Sequence, residues 1–156
     1  MPLSSSQIGK SVEHLLAAYC IVTSNGEINV SLPVVDEEGI DLILNLKGKP
    51  ERLLLQVKSR TDLTANDSYR TQVREQTLHT RDDVYLLFVN IDTTTASFTN
   101  KMWLIPSKDF DRLSTRPNST SSRRVFQTRF ASTSDKWSYY KVDPKQLAQK
   151  LVDILG

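Results

Sequence analysis

The chain has 156 residues, 20 basic and 18 acidic, for a formal net charge of +2. That length fits one domain, residues 1–156, able to bury a core without disulfide staples, and 38% hydrophobic with 24% charged residues is the balance of a folded chain. No apolar run approaches ~18 residues, so no membrane span is expected; the start lacks the basic and apolar regions of a secretory leader, and a single cysteine with two histidines excludes a disulfide framework and a Cys/His zinc cluster.

A first helix is expected from Ser5 or Ser6 to Ile21, with either serine as N-cap. Ile8, Val12, Leu15, Leu16 and Tyr19 recur on one helical face. Gly9, Ala17 and Cys20 beside that stripe are small, and Glu13 sits among them, aimed at whatever the covered surface offers. Three strands follow, centred on Ile28–Leu32, Ile40–Leu46 and Leu53–Val57, each with period-2 alternation. Lys47-Gly48-Lys49-Pro50 reads as the hairpin turn between the last two. Residues 60–83 read as a loop followed by a helix around Tyr69 to His79. Val84 to Ile91 is nearly continuously apolar, as in a strand buried on both faces. Met102 to Ile105 is a further strand, ended by Pro106, and Ser107 caps a short helix from Lys108 to Leu113. Val125–Phe130 and Trp137–Val142 are expected as strands. Asp143-Pro144 supplies an N-cap and a first-turn proline for a closing helix marked by Leu147, Leu151, Ile154 and Leu155.

The small net charge hides an asymmetry. Residues 1–95 carry 9 basic and 13 acidic groups, and residues 96–156 carry 11 and 5. A basic half beside an acidic half suits a polyanion-binding surface next to a carboxylate site, although an unevenly charged solvated surface gives the same count. Arg123, Arg124 and Arg129 follow or flank a flexible Ser/Thr stretch and are candidate phosphate contacts. His14 and His79 lack metal-ligand spacing, and Cys20 belongs to a packed helix face. Trp103, Trp137, Tyr139 and Tyr140 read as core or interface aromatics.

The hairpin permits a register argument. A turn symmetric about residues 48 and 49 sets Asp41 opposite Gln56. Period 2 puts Gln56 and Lys58 on one face, and Asp41 joins them as a directly opposed residue. Ile43 and Leu54 share that face, which implies burial, and a buried lysine and carboxylate are costly unless paired or bound to metal. Carboxylate and amide oxygens suit Mg²⁺ and its bridging to phosphate. A lysine beside them supplies positive charge where a phosphodiester develops negative charge. Those are the parts of metal-assisted phosphodiester hydrolysis.

Glu13 on a first helix, Gly39-Ile40-Asp41-Leu42 on a strand and Leu55-Gln56-Val57-Lys58 on the next resemble the PD-(D/E)XK nuclease superfamily. The Mrr-like branch, with its Q-x-K motif, is the nearest flavour. The resemblance covers about residues 5–60, and more weakly Val84–Ile91 and Trp103–Phe110. It implies an α/β fold with a restriction-endonuclease-like αβββαβ core, a mixed central sheet flanked by helices. It implies a metal-dependent DNA endonuclease using Mg²⁺, with Mn²⁺ as substitute, on double-stranded DNA. By that resemblance Glu13, Asp41, Gln56 and the Val57 carbonyl hold or position metal, and Lys58 orients or activates water. Gln56 stands where the superfamily usually has an acid. Two cuts in a duplex imply a homodimer or higher homo-oligomer, and the DNA substrate implies an intracellular, cytoplasmic or nucleoid-associated location. The rival expectation is a DNA-binding or scaffold module that kept the fold and lost cleavage. A protein-interaction domain without DNA leaves the polar strand face unexplained.

Overall fold

A computed structural model describes residues 1–34 and 38–156. Helix α1 (Ser5–Thr23) opens the chain. Its N-cap is Ser4, one residue earlier than the sequence suggests: the Ser4 hydroxyl accepts the Gln7 N–H at 3.1 Å and the Gln7 side chain accepts the Ser4 N–H at 2.9 Å. That reciprocal pair satisfies two of the helix's orphan donors, which a cap at Ser5 or Ser6 would leave open. Strands β1 (Ile28–Ser31), β2 (Leu42–Leu46) and β3 (Arg52–Thr61) follow. After β4 (Tyr69–Arg74) and a 3₁₀ turn (Glu75–Thr77) come β5 (Val84–Asp92), β6 (Ser97–Pro106) and α2 (Ser107–Leu113). Strand β7 (Arg123–Thr128), 3₁₀ turns at Ser138–Tyr140 and Pro144–Gln146, and α3 (Leu147–Leu155) complete it.

The architecture is mixed α/β: a five-stranded sheet of order β1-β2-β3-β5-β6, with helices on its faces. Strands β3 and β5 run parallel, and the other neighbours among the described residues are antiparallel. Pleating divides the side chains between two cores. Leu53 and Leu55 of β3, Leu42 and Leu44 of β2, and Leu87 of β5 face α1 and α3, with Val12, Leu16 and Leu151. Leu86 and Phe88 of β5 and Trp103 of β6 face the other way, into a core with Tyr69, Phe110, Phe126 and Trp137. The Phe88 and Phe126 rings stack there at 4.0 Å between centroids. Burial of β5 on both faces accounts for its unbroken apolar run.

Two expected elements are corrected. The helix expected around Tyr69–His79 is strand β4 followed by the 3₁₀ turn. Tyr69, Thr71 and Val73 alternate with Arg70, Gln72 and Arg74, a period-2 pattern rich in strand formers. Strand β4 pairs with β7 in a separate two-stranded antiparallel ribbon. The chain between the parallel strands β3 and β5 therefore passes through a ribbon strand, not the crossover helix of an αβββαβ order. The strand expected at Trp137–Val142 is a 3₁₀ turn, with one bridge from Lys141 to Trp103. Asp135 accepts the Trp137 N–H at 3.0 Å and the Ser138 hydroxyl at 2.9 Å. These local bonds bend the chain before a ladder can form.

Candidate functional site

Gly48, at φ +78°, makes the turn between β2 and β3, and the Lys49 N–H donates to the Leu46 carbonyl at 2.9 Å. Leu42 then opposes Leu55, Ile43 opposes Leu54, Leu44 opposes Leu53 and Asn45 opposes Arg52. This is the register of the symmetric turn. Past Leu42 the ladder ends, so Asp41 is not the ladder partner of Gln56 that the symmetric register sets it to be. The Asp41 N–H donates to the Leu55 carbonyl at 2.8 Å, and the Asp41 carboxylate accepts the Val57 N–H at 2.6 Å. A side chain thus replaces the next strand carbonyl. The N–H and C=O of one strand residue lie on the same edge, so the Val57 carbonyl opens beyond the end of β2, beside Asp41.

Gln56 and Lys58 alternate with Val57 and lie on the face of β3 whose β5 neighbours are Leu86 and Phe88. Gln56 is buried, 5% exposed, and its amide lies 3.5 Å from the Thr77 hydroxyl. Thr77 reaches this place because the 3₁₀ turn folds over Gly39. A β-carbon on Gly39 would stand 2.7 Å from the Thr77 β-carbon and 3.2 Å from the Gln56 amide nitrogen. Gly39 also sits at φ +73°, so both the close approach and the left-handed backbone require glycine. His79 closes the same contact, with its Nε2 2.8 Å from the Glu38 carbonyl oxygen. The Tyr69 hydroxyl lies 3.0 Å from the Lys58 carbonyl and 2.9 Å from that of Val89, fastening the ribbon to β3 beside Lys58. Burial raises the Tyr69 pKa, which keeps that hydroxyl a donor.

These elements enclose a polar cavity of about 320 Å³. Asp41, Gln56, Val57 and Lys58 line it from the hairpin, Gln76 and Thr77 from the turn, and Arg74 and Arg123 from the ribbon. Arg74 and Arg123 are register partners at the ribbon's end, so pairing delivers two guanidinium groups to one place. Among the described residues the lining carries one carboxylate and three cations, a balance that favours an anion.

The ribbon end is anchored by Glu75. It accepts from Arg116 at 2.5 and 3.0 Å and from Arg124 at 3.0 Å. Those hydrogen bonds, Arg116 first, hold its carboxyl down at about 2. Arg124 also pairs with Asp111 at 3.0 Å and donates to the Asp111 carbonyl and the Ser114 hydroxyl. Of the three arginines singled out in the sequence, Arg124 is therefore committed to internal partners. Arg123 lines the cavity and is exposed, and Arg129 is exposed beyond the end of β7.

Glu13 lies on α1, whose apolar residues pack against the other face of the sheet; its carboxylate pairs with Lys10 at 3.1 Å, and it is not among the residues lining the cavity. Among the described residues no three His, Cys, Asp or Glu side chains gather as a metal-binding group. The donors beside one another are a carboxylate, an amide and a backbone carbonyl, all hard oxygens. Such a set fits Mg²⁺ or Mn²⁺ with water and substrate oxygens completing the shell, not a soft-metal site. Cys20 is fully buried, and burial pushes its thiol up to about 12, so it is core packing. A larger cavity of about 480 Å³, between the start of α1 and the ends of β3 and β5, is almost wholly apolar and holds one titratable side chain, His14.

Arg74, Gln76 and Thr77 are the site residues that sequence reading missed. The alternation of Tyr69, Thr71 and Val73 was the available signal; it identifies a strand but not its partner. Neither a family model nor a curated protein sequence matches the chain.

Proposed function

We propose that this protein is a metal-dependent endonuclease hydrolysing phosphodiester bonds in double-stranded DNA, built on a restriction-endonuclease-like variant of the α/β fold. The observation that carries the proposal is the meeting of Asp41, Gln56, Val57 and Lys58 with Arg74 and Arg123 around one cavity. Asp41, the Val57 carbonyl and the Gln56 amide oxygen would hold Mg²⁺ or Mn²⁺, which supplies a Lewis acid and an acidified water. Oxygens of a bound phosphate would add further hard ligands to that set.

The chain's own groups do the rest. Arg74 and Arg123 hold the DNA backbone by charge-assisted hydrogen bonds. Lys58 places a cation where the phosphoryl oxygens gain charge, a contribution larger in the transition state than in the bound substrate. In hydrolysis the water oxygen bonds to phosphorus, one phosphoester bond breaks, and a proton passes to the leaving oxygen. Glu13, which the superfamily resemblance places in the site, is proposed only as an outer group whose substitution has the smaller effect. Two cuts in a duplex call for two chains, so the acting species is proposed to be a homodimer or higher homo-oligomer inside the cell.

The second reading is a DNA-binding module without cleavage, favoured by Gln56, a neutral amide, standing where the superfamily it resembles usually has an acid. Incubating purified protein with supercoiled plasmid in Mg²⁺, Mn²⁺ or Ca²⁺ separates the two. Nicking or linearisation in Mg²⁺ or Mn²⁺, absent in chelator and lost in Lys58→Ala, is expected. Mobility shift without any cut in every metal overturns the nuclease and leaves the module.

A further inference from the structure

The ribbon has a second surface besides the end that lines the cavity. Arg70 opposes Gln127, Gln72 opposes Val125 and Arg74 opposes Arg123. Directly opposed residues share a face. The alternate set, with Tyr69, Val73 and Phe126, is buried in the second core. The first set therefore faces outward, and Arg70, Arg74, Arg123 and Gln127 are exposed. Arg129, two residues beyond Gln127, is exposed as well. Among the described residues none of these four arginines forms an ion pair. Arg124, on the inward side, is held by Glu75 and Asp111.

Charge alone would attract any polyanion; the shape and the residue types narrow the partner. The DNA major groove, about 12 Å wide, admits a two-stranded ribbon, and its edges are read by arginine on guanine and glutamine on adenine, each bidentate. Strand residues two apart are about 6.7 Å apart, close to two base-pair steps of about 3.4 Å. Arg74 and Arg123 lie at the cavity end, and Arg70 and Gln127 lie about 13 Å farther along. We propose that the outward face of the β4–β7 ribbon reads base edges in the major groove of duplex DNA, with Arg70 and Gln127 determining sequence about four base pairs from the phosphate at the cavity. The proposal rests on the DNA reading of that cavity, but base reading and cleavage are measured separately.

The test is selection from a random duplex library by the full chain in Ca²⁺, followed by affinity measurements on enriched and random duplexes. An enriched motif is expected. Arg70→Ala and Gln127→Ala should each weaken the enriched duplex about tenfold or more and flatten one position of the motif. Affinity for random duplex should stay within about threefold, and both exposed substitutions should leave the melting temperature unchanged. Three results overturn the proposal: no motif, variants that keep the motif and its affinity, or an equal loss on random and enriched duplex, which marks a phosphate contact. An RNA duplex bound as tightly as DNA also overturns it, because the A-form major groove is too narrow for a ribbon. Cleavage in Mg²⁺ without a motif removes the ribbon reading alone. A motif without cleavage removes the nuclease and leaves the ribbon.

Discussion

The Asp41 carboxylate accepts the Val57 N–H at 2.6 Å, in the position where the next carbonyl of β2 would have closed the ladder. One side chain thus ends the pairing of β2 with β3 and sets a negative charge beside the Val57 carbonyl. The structural and chemical roles of Asp41 can be separated. Asp41→Asn keeps an oxygen for the Val57 N–H, so unfolding in urea should shift little while cleavage is lost. Asp41→Ala leaves that N–H without its partner and should cost about 1–3 kcal/mol of stability as well. Cleavage by Asp41→Asn at the wild-type rate would remove the carboxylate from the site.

Lys58→Ala should lower metal-dependent cleavage by about 10²–10³-fold, the scale of a lost charge-stabilising donor. Its effect on DNA affinity should be small, because Arg74 and Arg123 line the same cavity. Single-turnover cleavage and fluorescence anisotropy measure the two separately. Gln56→Glu adds the acid usual in the superfamily and should tighten Mg²⁺ binding and preserve or raise cleavage.

Gly39→Ala should destabilise the protein by about 1–3 kcal/mol. The added carbon meets Thr77 at 2.7 Å in a left-handed backbone. The turn over Gln56 must then move, so cleavage should fall together with the urea midpoint. An unchanged midpoint would show that the turn does not press on Gly39.

Glu75 links stability to acid. Its folded pKa of about 2 lies below the ordinary 4.5. A depressed carboxyl binds protons more weakly folded than unfolded, so its stabilisation is complete above about pH 4.5 and disappears as pH falls toward 2. Glu75→Gln should flatten that part of the stability profile, measured by urea unfolding between pH 5 and 2.

Arg123 and Arg124 are adjacent in sequence and should behave differently. Arg123→Ala should reduce the slope of log K against log salt for DNA by about 0.9, one phosphate's worth, with little change in stability. Arg124→Ala should leave the slope and lower the melting temperature, because Arg124 serves Glu75, Asp111 and Ser114. Equal slopes for wild type and Arg123→Ala would take Arg123 off the DNA.

Much of this arrangement is legible in the sequence, and the reason is range. Helix α1 follows from its apolar face, β5 from an unbroken apolar run, and α3 from the Asp143-Pro144 start. The pairing of β2 with β3 follows from a tight turn, because a short symmetric hairpin leaves one register for the residues that flank it; Asp41 lies beyond that ladder and reaches the site through its own bonds to Leu55 and Val57. The ribbon is different. Tyr69, Thr71 and Val73 carry a strand's period, but a period does not name a partner. Only burial of Tyr69, Val73 and Phe126 against Phe88 and Trp103 makes β4 pair with β7. That distant pairing brings Arg74 and Arg123 to the cavity and folds Thr77 over Gly39. It also turns Arg124 inward to Glu75, which adjacency to Arg123 in the chain does not reveal. Local periodicity determined α1, β5 and the β2–β3 hairpin; the choice of which distant surfaces exclude water together, and so which cations surround that hairpin, belonged to the tertiary structure.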